Sequence, residues 1–396
     1  MKKVLYVAHE NTKGGATHSL LNLLDHLPMN VQPYVLIPKT LGLRTLFTKD
    51  YRKILNAGTL KQELIKRNIP FYEAYYFLDN IEIKQNLIRK LFFSLIRNKE
   101  LMKIKKKIKD NNINLVHSNS SVIKFGADLA KELDLKHIWH VREDIGAMFG
   151  IKGIKQKKYI LSIVDNADQI IFVADSLKAN FQEVYQKLFG ELSKEQKNKF
   201  RRIYNGIPLT TSINKKNIKQ NPINIYCFGT IYEIKGQEDL ILLAKKLKQE
   251  GFPNFRIKLV GGRKKEYYDY LLNLIALNNL EEIIEFIDYT NDIDLLRSDA
   301  DIEIVSSRNE AFGRVAIEAM NFGNPLIVTN VGGLNEIVEH KKNGLKYKPG
   351  DINALYENVK DIIDSKLNMD EIIINAKIRS SEFDIKICVS QISKLY

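Results

Sequence analysis

Cysteine is scarce in this chain. Its two cysteines, Cys227 and Cys388, lie in apolar runs without metal-type spacing. A disulfide framework is therefore not expected, and the usage fits a reducing cytoplasm. Long apolar runs are also missing, since none approaches the ~20 residues that a membrane-spanning helix needs. The start, Met1-Lys2-Lys3-Val4, imitates a signal peptide for only a few residues: His9 and Glu10 interrupt it, and no small-residue cleavage site follows. Internal repeats and low-complexity segments are absent. Acidic residues are sparse in one half. Met1 to Arg202 holds 36 Lys/Arg against 20 Asp/Glu, a net of +16, and the remainder holds 25 against 27, a net of −2. This asymmetry points the first half at an anionic partner. The basic excess lacks the interleaved aromatics of a strand-binding sheet, which argues against nucleic acid.

What remains is a globular composition, 44% hydrophobic and 27% charged, in 396 residues, enough for two domains. The most informative stretch runs from Glu310 to Asp351. A β-rich run, Ile302 to Val305, leads through Ser306-Ser307-Arg308-Asn309 to Glu310. A helix is expected from near Phe312 to Gly323, a buried strand from Pro325 to Thr329, and a further helix after Gly332-Gly333. Strand, loop, helix, strand is the rhythm of a parallel α/β sheet, which binds ligands at the carboxyl ends of its strands. Glu310 and Glu318 are eight positions apart, about 12 Å of rise and roughly 80° of rotation on a helix. That is too far to flank one bond as a glycosidase pair does. It suits two grips on one elongated ligand, with ionised carboxylates accepting hydrogen bonds from sugar and ribose hydroxyls. Two solvated surface acids are the plain alternative.

The same stretch resembles the retaining nucleotide-sugar glycosyltransferases of family 4. It carries Glu310-x-Phe312-Gly313-x4-Glu318-Ala319-Met320, then Gly323-x-Pro325, Gly332-Gly333, Glu336-Ile337, Asn343-Gly344 and Pro349-Gly350-Asp351. The resemblance implies the GT-B fold, two Rossmann-like doubly wound parallel-sheet domains facing a cleft. It implies a nucleotide diphosphate sugar as co-substrate, no other cofactor, and no metal. Glu310 would hold the sugar hydroxyls and Glu318 the ribose, with backbone amides near Phe312 and Gly313 beside the leaving diphosphate.

The expected layout is an amino-terminal, acceptor-side domain over 1–207, a linker over 208–222, a nucleotide-sugar-binding domain over 223–380, and a terminal helix over 381–396 that crosses back to the first domain. Val4 to Ala8 reads as a buried strand. It enters a loop with Gly14 and Gly15, and a helix follows from about Thr17 to Leu27. Glycines there let a backbone approach a phosphate at a helix amino end. By resemblance this is the loop that faces the donor diphosphate, although a bare turn has the same sequence. Ile69 to Tyr72 reads as a further strand. His140 closes the strand His137 to Val141, where the family commonly has a histidine close to the transferred sugar; a structural histidine is the alternative. After Ile223 to Gly229 the family usually has an arginine and then a lysine on the diphosphate. The lysine is Lys235, but Thr230 stands at the arginine position, which leaves Arg263 and Arg314 as substitutes.

Lys84 to Lys109 is basic, with Glu100 its one acid. Leu87, Ile88, Leu91, Phe92, Leu95 and Ile96 form a helical apolar stripe. Such a helix suits an anionic membrane surface, and it equally suits a domain helix with a solvated lysine face. The resulting expectation is a cytoplasmic glycosyltransferase, peripheral to the inner membrane face, acting on a glycan, lipid-linked or anionic acceptor of a bacterial surface polysaccharide. The alternatives are a non-catalytic sugar- or partner-binding module, or an epimerase or phosphorylase, on the same fold.

Overall fold

The structure, a computed structural model, describes residues 1–12, 14–39, 59–76, 87–144, 146, 150, 152–209, 222–252, 254–290 and 292–396. The chain forms two compact units, 1–206 with 385–396, and 207–384. The linker expected over 208–222 lies almost wholly outside the described residues.

The first unit is built on seven strands: β1 (Lys2–Val7), β2 (Val31–Pro38), β3 (Phe71–Ala74), β4 (Leu115–Ser118), β5 (Lys136–Val141), β6 (Gln169–Phe172) and β7 (Phe200–Arg202). They are hydrogen-bonded in the order β3-β2-β1-β4-β5-β6-β7, every pair parallel. Val4, Leu5, Tyr6 and Val7 are fully buried, as expected for a strand covered on both faces. The first helix spans Gly15–Asp25, two residues earlier than its leucine periodicity suggests. Pro28 accounts for the early stop, because it disfavours helical geometry in Leu27. β3 starts two residues later than expected. Pro70 has no N–H to give a ladder, so it stays outside the strand and accepts a bond from Val35 through its carbonyl at 3.0 Å. The Ile385–Ser393 helix belongs to this unit, with Ile385, Cys388, Val389 and Ile392 buried in the same core as Leu20, Leu23 and Val35.

The second unit has six strands: β8 (Ile223–Phe228), β9 (Phe255–Val260), β10 (Ile284–Ile287), β11 (Ile302–Val305), β12 (Leu326–Thr329) and β13 (Leu345–Tyr347). Their order is β10-β9-β8-β11-β12-β13, again all parallel. Ile225, Leu240, Ile257 and Ile304 sit fully buried in its core. Each such burial contributes about 1.5–3 kcal/mol before chain entropy is counted. The helix expected near Phe312 begins at Arg314, because Gly313 caps it in a left-handed conformation (φ 101°); it ends at Gly323, left-handed as well. In both sheets the strand order reverses beside the first strand, between β1 and β4 and between β8 and β11. Sheets of this class open a crevice at the carboxyl ends of those two strands. The residues just beyond β1, β4, β8 and β11 therefore sit where such sheets bind ligands.

Candidate active site

In the second unit the loops leaving β8 and β11 are tied to each other. Arg308 N donates to Ile234 O at 2.7 Å, and Ser306 Oγ donates to Lys235 O at 2.8 Å. These bonds bring the Lys235 ammonium to Glu310, Nζ to Oε2, at 2.6 Å, and Ser307 Oγ donates to the same oxygen at 3.2 Å. Both side chains keep some solvent access, 34% and 18%, so the pair remains reachable. Behind it, Gly333 N donates to Glu310 O at 2.9 Å. A Cβ on Gly332 would meet the Glu310 carbonyl, and one on Gly333 the Phe312 backbone. The Gly-Gly step thus lets the next helix close on the Glu310 loop.

Glu318 has a partner on each oxygen. Arg314 Nε lies 2.8 Å from Oε1, and Arg297 Nη2 donates to Oε2 at 3.0 Å. Arg297 is itself buried and grips both oxygens of Glu303 at 2.9 and 2.7 Å, while Asn324 Nδ2 donates to Glu303 at 2.7 Å. Burial pushes the Glu303 carboxyl up and Arg297 opposes it. Removing one partner of such a buried pair costs about 3–5 kcal/mol. Arg297 was not anticipated from sequence. The available signal was Glu303 in the middle of an apolar strand, since a buried carboxylate requires a cation.

The remaining residues of this half separate by place. Arg314 is committed to Glu318. Arg263, at the end of β9, donates to Tyr268 Oη at 2.8 Å, pairs with Asp288 at 3.0 Å and lies over the Tyr268 ring. These side-chain contacts run towards the β10 edge, while its backbone bridges Ile231 in the loop after β8. The Phe312 ring is buried edge-on against Phe383, with centroids 5.9 Å apart; packing occupies it, and only its backbone is left for a ligand. Asp-x-Asp spacing does occur, at Asp292–Asp294 and Asp299–Asp301. The second is used structurally, with Asp301 accepting from Asn224 N at 2.9 Å and Asp299 from Lys258 Nζ at 2.9 Å. Among the described residues no group of three or more His, Cys, Asp or Glu is placed to hold a metal.

In the first unit, His140 sits next to the end of β5 and is buried. Arg142 Nη2 donates to its Nδ1 at 3.2 Å, and His117 Nε2 lies 3.4 Å from the same atom. Burial, Arg142 and His117 hold the His140 pKa well below its ordinary value, so the ring is neutral. Arg142 also binds the Asn119 carbonyl at 2.9 Å, its side-chain oxygen at 2.9 Å, and Asn205 Oδ1. It ties the loops after β4, β5 and β7 together, and sequence reasoning missed it because Asn119 and Asn205 are far away along the chain. At the glycine loop, Glu10 fills the turn. Its carboxylate accepts from Thr12 Oγ1 at 2.7 Å and Thr17 Oγ1 at 3.2 Å, and a Cβ on Gly14 would strike it. Gly15, the first residue of the helix, has open space around it.

Comparison with known proteins gives these arrangements a context. The family described as Glycosyl transferases group 1 matches residues 210–379. The chain is 28% identical over 294 residues to an uncharacterized glycosyltransferase, MJ1178, of Methanocaldococcus jannaschii, covering 73% of this chain and 76% of that protein. It is 25% identical over 282 residues to an uncharacterized glycosyltransferase of Haemophilus influenzae, covering 70% and 73%. Crystal structures of Anabaena Alr3699/HepE in complex with UDP and with UDP-glucose superpose with a TM-score of 0.77 at 20% identity, over 100% of this chain and 99% of that one. The fold is GT-B. Among the described residues no helix is long and apolar enough to cross a membrane.

Proposed function

We propose, starting from a chain that carries a glycosyl transferases group 1 domain over residues 210–379, a retaining glycosyltransferase of family 4. It moves a hexosyl or N-acetylhexosaminyl group from a nucleotide diphosphate sugar to an acceptor. The observation that carries the reading is the Lys235–Glu310 pair at 2.6 Å, set where the strand order reverses between β8 and β11. A cation beside a carboxylate matches the two ends of such a donor. The ammonium offsets charge growing on the diphosphate as the glycosidic bond breaks, and the carboxylate accepts hydrogen bonds from the sugar hydroxyls. Glu318, held between Arg297 and Arg314, takes the ribose hydroxyls through its remaining lone pairs. Backbone amides at Gly313 and the start of the Arg314–Phe322 helix face the diphosphate. This scheme asks for no metal. The complexes of the Anabaena relative with UDP and UDP-glucose make a uridine diphosphate sugar the first donor to test. The basic excess of residues 1–202 favours an anionic or lipid-linked acceptor, such as a growing surface glycan.

A second reading, a non-catalytic sugar-binding module, is favoured by Thr230 at the position of a phosphate-binding arginine. The test is a thermal-shift screen of nucleotide diphosphate sugars, followed by proton NMR of the product made from the best ligand. The proposal expects release of free nucleoside diphosphate and the donor's own anomeric configuration in the product. An inverted product contradicts retention. Binding without any release favours the module.

A further inference from the structure

In the first unit a run of polar groups leads from the core to His140. Tyr6 Oη and Tyr396 Oη are 2.7 Å apart, Tyr396 Oη is 3.0 Å from His117 Nδ1, and His117 Nε2 is 3.4 Å from His140 Nδ1. The two imidazoles stack at 5.6 Å, tilted by 21°. All four side chains belong to one unit. The directions of these bonds follow from one fact, that a guanidinium can only donate. Arg142 Nη2 faces His140 Nδ1, so Nδ1 carries a lone pair, and a neutral ring must then keep its proton on Nε2. His117 Nε2 faces the same lone pair and therefore donates to it. That leaves His117 Nδ1 as an acceptor for the Tyr396 hydroxyl, which in turn accepts from Tyr6. The reverse order would set an N–H on His140 Nδ1 against the guanidinium N–H. At the far end, His140 Nε2 is buried and has no hydrogen-bond partner among the described residues. A buried donor left in this way is costly, and a ligand oxygen would complete it.

We propose that Arg142, His117 and Tyr396 lock His140 with its proton on Nε2, so that it meets a ligand only as a hydrogen-bond donor and never as a base. Tyr396 and His117 are then positioning residues: they touch no substrate and act through the orientation and tautomer of His140. Nε2–H is then left to donate to a ligand oxygen next to the end of β5. The expected effect on turnover rests on the glycosyltransferase reading; the tautomer does not. Burial also keeps His117 neutral, lowering its pKa to about 3, and burial raises the Tyr396 phenol, so it stays protonated and able to donate.

The experiment is long-range proton–nitrogen NMR on the full chain labelled at histidine. With 7 histidines in the sequence, His117 and His140 can be assigned from the signals lost in His117→Gln and His140→Gln. The wild type should show the Nε2–H neutral pattern for both rings between about pH 6 and 8. Tyr396→Phe should leave His117 in the Nε2–H form, still held by His140, and move its bare Nδ1 signal towards that of a lone pair without a donor. It should also lower turnover about three- to tenfold, the loss expected for one neutral hydrogen bond, with the donor KM unchanged. Tyr6→Phe removes the bond upstream and should leave the His117 pattern in place. An Nδ1–H pattern on His140 in the wild type overturns the proposal, even if no variant folds. So does a His117 Nδ1 signal unmoved by Tyr396→Phe, or a His117 tautomer changed by Tyr6→Phe. A wild type that folds, shows the Nε2–H pattern and turns over no nucleotide sugar removes the glycosyltransferase reading and leaves the ring assignment standing.

Discussion

His137 shows what the first unit asks of its buried histidines. Its Nδ1 lies 2.5 Å from the Asn166 carbonyl and its Nε2 lies 2.9 Å from Ser118 Oγ, so the neutral ring is satisfied on both sides. Burial holds its pKa down at about 4, and that of His117 at about 3. A histidine whose folded pKa lies below the unfolded value contributes stability that is present above about pH 6.5 and is lost as pH falls towards the folded values. Each ring should cost about 1.4 kcal/mol per pH unit in that window. The thermal midpoint should therefore drop steadily from pH 6.5 towards pH 4, and His137→Gln should have a visibly shallower slope. A wild-type midpoint that stays flat over this range would refute the neutral assignment. At this scale the local pattern of the sequence singled out Lys235, Glu310 and Glu318 as candidates, and the fold pairs the first two at 2.6 Å. It did not reveal Arg297 or Arg142, because what defines them is a set of partners brought together by folding.

The Leu87–Asp110 helix is the element whose role the sequence left open. Leu101, Ile104 and Ile108 are buried along one face, with Glu100 beside them. Arg97 pairs with Asp128 and Lys105 with Glu132, the latter at 2.8 Å. This part of the helix is a packed domain helix. The stripe expected at Leu87, Ile88, Leu91, Phe92, Leu95 and Ile96 behaves differently: the first four side chains lie outside the described residues, and Leu95 is 70% exposed, as is Met102 at 66%. Lys99, Lys103, Lys106, Lys107 and Lys109 face solvent. Two apolar side chains among free lysines are what an anionic lipid surface attracts, by roughly 1 kcal/mol per nearby charge. Co-sedimentation with anionic vesicles should be strong at low salt and weak at high salt. It should be lost on charge reversal of Lys99, Lys103, Lys106 and Lys107, a set that spares the structural Lys105. Equal sedimentation with neutral vesicles would assign the lysines to solubility alone. Helical period was legible here, but which lysine was already paired was not, since Glu132 lies on another helix.

At the scale of the whole molecule, the alternation of buried strands with helices sufficed to anticipate two parallel sheets. Each strand expected above has a counterpart: β3 and β12 start just after Pro70 and Pro325, β8 ends before the left-handed Gly229, and β1 starts two residues before Val4. The strand order was not readable from periodicity, and it is the order that locates the reversals between β1 and β4 and between β8 and β11. The second of them puts Lys235 opposite Glu310 across 75 residues of sequence. The central claim is that this pair stabilises a nucleotide diphosphate sugar more in the transition state than in the ground state. It is tested most directly by the steady-state release of nucleoside diphosphate at saturating donor, in the wild type and in Lys235→Ala. The account predicts a turnover lower by about a hundredfold or more in the variant, with KM little changed. An unaltered turnover accompanied by a raised KM would contradict it, because the ammonium would then serve ground-state binding alone.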